Sequence, residues 1–134
     1  MDGRPCLTRK MKEDNMDLLP VTFKLMPLAI LLGLAMILIS LPLLYNAIGP
    51  NWFYGFRTRK TISNSDIWYK ANKNMARELI AAGTVTIMLA IIAMLVYLRI
   101  TMFTNIQANG LFLLILLVPL AIAVLRSTLY LKKL

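Results

Sequence analysis

Three long apolar runs, separated by one long and one short polar stretch, organise the chain. No charge falls between Lys24 and Arg57, and the densest apolar part of that interval is Leu25 to Tyr45. A second run, Leu79 to Leu98, is bracketed by Glu78 and Arg99 and contains neither charge nor proline. The third follows Asn109-Gly110 and extends from Leu111 to Leu131, broken only by Arg126 near its end. About 20 apolar residues cross a hydrocarbon core as a helix, and a segment in lipid must hydrogen-bond its own backbone. The pattern therefore predicts an all-α integral membrane protein with three transmembrane helices, at residues 25–45, 79–98 and 111–131.

Local signals refine the spans. Pro27 falls in the first turns of the first helix, where proline is tolerated, and Pro42 is expected to kink or end its last turn, so that the chain leaves the membrane near Tyr45. Ala29 and Gly33 are four apart, as are Ala82, Thr86 and Ala90, giving two helices a small-residue stripe for close packing, expected within the chain. Before the first span, Arg4, Arg9, Lys10 and Lys12 mix with Glu13, Asp14 and Asp17 without periodicity. Residues 1–24 are thus expected to form a mobile N-terminal tail, with Met11 and Met16 as alternative starts. A signal peptide is disfavoured, because its apolar region usually has about 7 to 15 residues and a small-residue cleavage site follows.

Composition narrows the chemistry. The 134 residues are 59% hydrophobic and 16% charged, with a mean hydropathy of +0.69, against about 25% charged in ordinary soluble domains. Lys and Arg number 15 against 6 Asp and Glu, and there is no histidine. That removes His-ligated zinc and the Ser-His and Cys-His nucleophile pairs. Cys6 alone forms neither an intrachain disulfide nor a cysteine cluster. Beyond residue 24 the only carboxylates are Asp66 and Glu78. Twelve residues apart on one helix they stand ~18 Å apart, too far to share a substrate bond. The reading is a non-enzyme without cofactor, metal or direct nucleic-acid contact.

Membrane insertion does not explain the segment from Asn46 to Glu78. It opens with turn formers and aromatics, Gly49 to Phe56, and continues through Arg57, Arg59 and Lys60. Gly55, between two aromatics, marks a position of positive φ or close backbone approach. Ser63 followed by Asp66 resembles a capping box, so a helix is expected to start near Asn64, at the interface, and to feed into the second span. Trp68, Asn72, Met75 and Leu79 then share one face, with Trp68 and Tyr69 at the membrane surface. On one reading the aromatics and the six bases (Arg57, Arg59, Lys60, Lys70, Lys73, Arg77) are an interfacial anchor and topology signal touching anionic headgroups. On the other, Asn51, Arg57, Thr58 and Asn72 form a polar cluster that a partner reads, with Arg57 hydrogen-bonded rather than solvated.

The order Pro50-Asn51, Gly55-Phe56-Arg57-Thr58, Thr61, Ile67-Trp68-Tyr69-Lys70, Asn72 and then Gly83 resembles the signature of the SdpI family of small bacterial membrane proteins. Arg59 stands where relatives often have proline, and the larger immunity proteins of the family carry spans that this chain lacks. The resemblance implies a multi-pass protein of the bacterial cytoplasmic membrane. It implies immunity against a membrane-active peptide toxin, or signalling through a cytoplasmic regulatory protein, as the leading function. It assigns partner or ligand contact to Asn51, Gly55, Arg57, Thr58, Thr61, Trp68 and Asn72, with the lipid bilayer, a peptide toxin, a cytoplasmic regulator or a second copy as partners.

The alternative is a small transport or channel component or accessory subunit. It has less behind it, because the spans contain no Asp, Glu or Lys, and Arg126 can snorkel to the interface. Three spans place residues 46–78 and the C-terminus on one side with nine bases, and the N-terminus with the short loop on the other with six, or with two if translation starts at Met16. Positive-inside counting puts the long loop and the C-terminus in the cytoplasm.

Overall fold

The computed structural model describes residues 21–99 and 105–134; the tail expected before residue 21 and residues 100–104 lie outside the described residues. Four helices follow one another: α1 (Val21–Leu44), α2 (Arg59–Ser63), α3 (Ser65–Arg99) and α4 (Asn105–Lys133), with no strand among the described residues. Three of them are long and apolar enough to cross a membrane, over Leu25–Leu44, Ser65–Val96 and Gly110–Lys133. Each turns large apolar residues such as Leu31, Leu38, Ile92, Leu114 and Leu125 outward. Such broad apolar exposure does not suit water and does suit lipid. The chain is an all-α, three-span membrane protein.

Two boundaries differ from expectation. The first helix already includes residues 21–24, which were expected in the tail, so Pro27 lies at least about a turn and a half inside it. The third long helix is already formed at Asn105 and passes through Gly110, which stands in open space where nothing forces a break. As predicted, α3 is one element from before the membrane to its far side: 35 residues make about 52 Å, against about 30 Å of hydrocarbon. The surplus carries Ser65 to about Glu78 beyond the apolar core.

Helix α3 is central and packs against both α1 and α4, while α1 also touches α4. Gly33 of the first small-residue stripe meets Gly83 of α3, while Ala82 and Thr86 of the second stripe turn toward α4. A Cβ on Gly33 would stand 2.9 Å from the Gly83 carbonyl oxygen, and one on Gly83 would stand 2.6 Å from that of Gly33. The backbones thus meet at a point where neither side has room for a methyl group. Ala29, Ala82, Thr86 and Ala90 are also buried, and Met26, Ala29, Ala90 and Phe112 form a core cluster.

The α3–α4 contact solves a problem set by Pro119. Proline inside α4 has no amide hydrogen, so the carbonyl of Ile115, four residues earlier, loses its helical donor. The buried Thr86 of α3 donates its hydroxyl to that oxygen at 3.4 Å. In lipid no water is present to do this.

Candidate functional site

One end of the bundle carries the motif. Helix α1 stops there by a Schellman arrangement: Asn46 has φ 55°, its amide donates to the Leu43 carbonyl at 3.3 Å, and the Ala47 amide donates to that of Pro42 at 2.9 Å. Asparagine tolerates this left-handed position, so Asn46 rather than Pro42 alone sets the exit.

Asn51 folds the next turn. Its Oδ1 accepts from the amides of Phe53 at 2.9 Å and Tyr54 at 2.7 Å, while its Nδ2 donates to the Gly49 carbonyl at 2.8 Å. Tyr54 hydroxyl donates to the Ile39 carbonyl, which lies three residues before Pro42 and ties the turn to α1. Trp52 and Phe53, at the tip, are left 70% and 91% exposed.

Gly55 and Asn72 form the next fixed point. Gly55 has φ +103°, and a Cβ there would fall 2.4 Å from Asn72 Oδ1. That oxygen accepts the Phe56 amide, and Asn72 Nδ2 donates to the Trp68 carbonyl one turn back at 3.0 Å. The buried amide group therefore clamps the loop to α3 at the one residue whose lack of a side chain admits it. Trp68, fully enclosed, donates its indole Nε1 to the Ile48 carbonyl at 3.1 Å. Trp68 is thus buried beneath the loop, whereas Tyr45, Trp52 and Phe53 are exposed.

Thr58 and Thr61 cap the short α2 reciprocally. Thr61 amide donates to Thr58 Oγ1 at 3.2 Å, and Thr58 amide donates to Thr61 Oγ1 at 2.8 Å. The Thr61 hydroxyl lies 3.0 Å from both the Phe56 and the Thr58 carbonyl oxygens, within donating reach of either. The cap of α3 is Asn64, whose Oδ1 accepts from Asp66 at 2.9 Å and Ile67 at 3.2 Å. Ser63, proposed for that role from its spacing, donates to the Lys60 carbonyl instead. Asparagine is as good a cap as serine, and it stands one residue nearer the helix.

The motif is thus divided by its chemistry. Asn51, Thr58, Thr61, Trp68 and Asn72 use their polar groups on nearby backbone, and Gly55 supplies the close approach. Arg57 is exposed and donates to the Trp52 backbone carbonyl. Trp52, Arg57, Thr58, Arg59, Ile62 and Ser63 line an open cleft of about 460 Å³. A cationic, aromatic-walled cleft suits an anionic or aromatic group. Lys60 reaches from α2 toward the Leu131 carbonyl of α4 at 3.5 Å, joining the loop to the third span.

A family model for the SdpI/YfhL protein family matches residues 47–130, from the loop through most of the third span. This chain belongs to the SdpI/YfhL family. The match includes every motif residue described above, so the clamp at Gly55 and Asn72 and the cleft beside it lie within the SdpI/YfhL region. No curated protein and no solved structure matches the chain.

The sequence pattern did not disclose an ion pair at the same end of the bundle. Arg126 of α4 lies 3.4 Å from Glu78 of α3, with side chains 66% and 17% exposed. Both bound apolar runs near one end of antiparallel helices, a juxtaposition readable only once α3 and α4 are paired. Arg126 is paired as well as positioned to snorkel.

Proposed function

We propose that this SdpI/YfhL protein is a non-enzymatic immunity and signalling protein of the bacterial cytoplasmic membrane. It protects against a membrane-active peptide toxin, and its loop cleft docks a cytoplasmic regulatory protein. One observation carries the reading: the polar motif residues are occupied within the loop, and the rigid loop so made presents Trp52, Phe53, Arg57 and Arg59 outward. An interfacial anchor needs exposed aromatics and bases but not a clamp that fixes their mutual geometry. Tryptophan, tyrosine and arginine dominate binding hot spots when held rigidly. Glu78, committed to Arg126, and Asp66, about 18 Å away along α3, offer no paired carboxylates for catalysis.

Expression in a sensitive bacterium tests the first half: survival under challenge by a membrane-active peptide is expected to rise above that of cells without the protein. Equal survival would overturn the immunity reading. Sidedness tests the second half. In a Cys6→Ser background, cysteines at Ser65 and Lys133 are expected to resist a membrane-impermeant thiol reagent in intact cells. Modification of both would put the cleft outside, beyond a cytoplasmic regulator, and labelling of half the molecules would show dual topology.

A further inference from the structure

A groove of about 480 Å³ runs between α3 and α4 on the side away from α1's crossing with α3. Its walls are apolar, with Ala81, Val85 and Leu89 facing Leu114, Val118 and Ile122, and one end is closed by Glu78 and Arg126. We propose that this groove holds one acyl chain of an anionic phospholipid from the loop-side leaflet, with the lipid phosphate on the Arg126 guanidinium.

Length favours a lipid chain over a helix. From Glu78 to Leu89 the groove follows α3 for ~16 Å, and from Arg126 to Leu111 it follows α4 for ~22 Å at 1.5 Å per residue. A leaflet's share of the hydrocarbon is about 15 Å, whereas a membrane-spanning helix from a second copy needs about 30 Å of surface. The groove therefore begins at headgroup depth, ends near the midplane on its α3 wall and about 7 Å beyond it on its α4 wall, long enough for an acyl chain and too short for a spanning helix.

Charge selects the headgroup. The segments at this end, residues 45–78 and 126–134, carry nine bases and two carboxylates. Arg126 is 66% exposed, and its one ion pair among the described residues is a single 3.4 Å contact from Nη1 to Glu78. A guanidinium has five donors in a planar fork, so one carboxylate contact leaves a face for phosphate. Glu78 holds the fork over the groove mouth and also competes with the phosphate for it.

That competition gives the test a sign. Purified protein in mild detergent is titrated with phosphatidylglycerol or phosphatidylcholine, and bound lipid is counted by native mass spectrometry. Wild type is expected to retain one phosphatidylglycerol per chain where phosphatidylcholine is lost. Arg126→Gln is expected to weaken phosphatidylglycerol retention about tenfold, the value of one charge-assisted contact. Glu78→Gln is expected to strengthen retention, because it frees the guanidinium. If the pair were only a structural brace, both substitutions would shift retention the same way, and the proposal would fail. Ala81→Trp fills the groove beside its charged end and is expected to abolish retention of either lipid with the thermal midpoint preserved. Equal retention of both lipids by wild type would overturn the proposal, as would a lipid-free dimer that Ala81→Trp dissociates, since a second copy would then occupy the groove.

Discussion

Replacing Gly55 with alanine should be the most damaging single-methyl change in the loop, for two separable reasons. The residue sits at φ +103°, outside the region that residues with a Cβ adopt at low cost, and holding alanine there costs roughly 1–3 kcal/mol. The new methyl would also lie 2.4 Å from Asn72 Oδ1 and 3.3 Å from Leu43 Cδ2. Asn72 must then release the Phe56 amide, and an orphaned buried polar group costs about 1–3 kcal/mol more. The expected loss is therefore roughly 2–6 kcal/mol, measured by denaturant unfolding in detergent followed by near-ultraviolet circular dichroism. Two other glycines are internal controls. A Cβ at Gly49 meets only the Tyr69 hydroxyl at 3.4 Å, an ordinary contact, and one at Gly110 meets nothing. Gly49→Ala should change stability by less than about 0.5 kcal/mol, and Gly110→Ala should raise it by roughly 0.5–1 kcal/mol as a helix-interior replacement. Adding Asn72→Ala to Gly55→Ala should cost less than the sum of the single changes, because the first removes the group that the second strikes. If Gly55→Ala matched Gly49→Ala in stability, the clamp would not exist as described.

The junction between α3 and α4 carries a second test. Thr86→Val should cost about 1 kcal/mol in wild type, near the upper part of the range for hydrogen bonds between membrane helices. It should cost almost nothing in a Pro119→Ala background, where the Ile115 carbonyl regains its helical donor; an equal cost in both would refute the pairing. Asn64→Ala should destabilise by about 0.5–2 kcal/mol as a lost helix cap, with Ser63→Ala milder. The reverse order would restore Ser63 as the cap.

The spans were legible because uncharged runs in lipid leave the backbone one economical solution. The interfacial start of α3 was legible because cap-forming residues precede its apolar face. Less of the site could be read, for reasons that lie in particular residues. Trp68 and Trp52 are both tryptophans beside a membrane surface, and only the fold shows that Ile48 satisfies the first while the second is bare. Ser63 and Asn64 are adjacent good caps, and φ/ψ geometry chooses between them. Gly55 could be marked as special, but its partner Asn72 is 17 residues away in the chain, and their meeting depends on how the loop returns to α3. Glu78 and Arg126, and Thr86 and Ile115, are pairs between helices whose register no single-helix pattern specifies.

The central claim is that the buried motif residues build the loop while Trp52 and Arg57 face a partner. The most direct measurement is survival under challenge by a membrane-active peptide in cells carrying the double variant Trp52→Ala/Arg57→Ala, at matched membrane levels and with an unchanged unfolding midpoint. The account predicts that protection falls to that of cells without the protein. Protection equal to wild type, with the exposed surface removed and the fold intact, would contradict it.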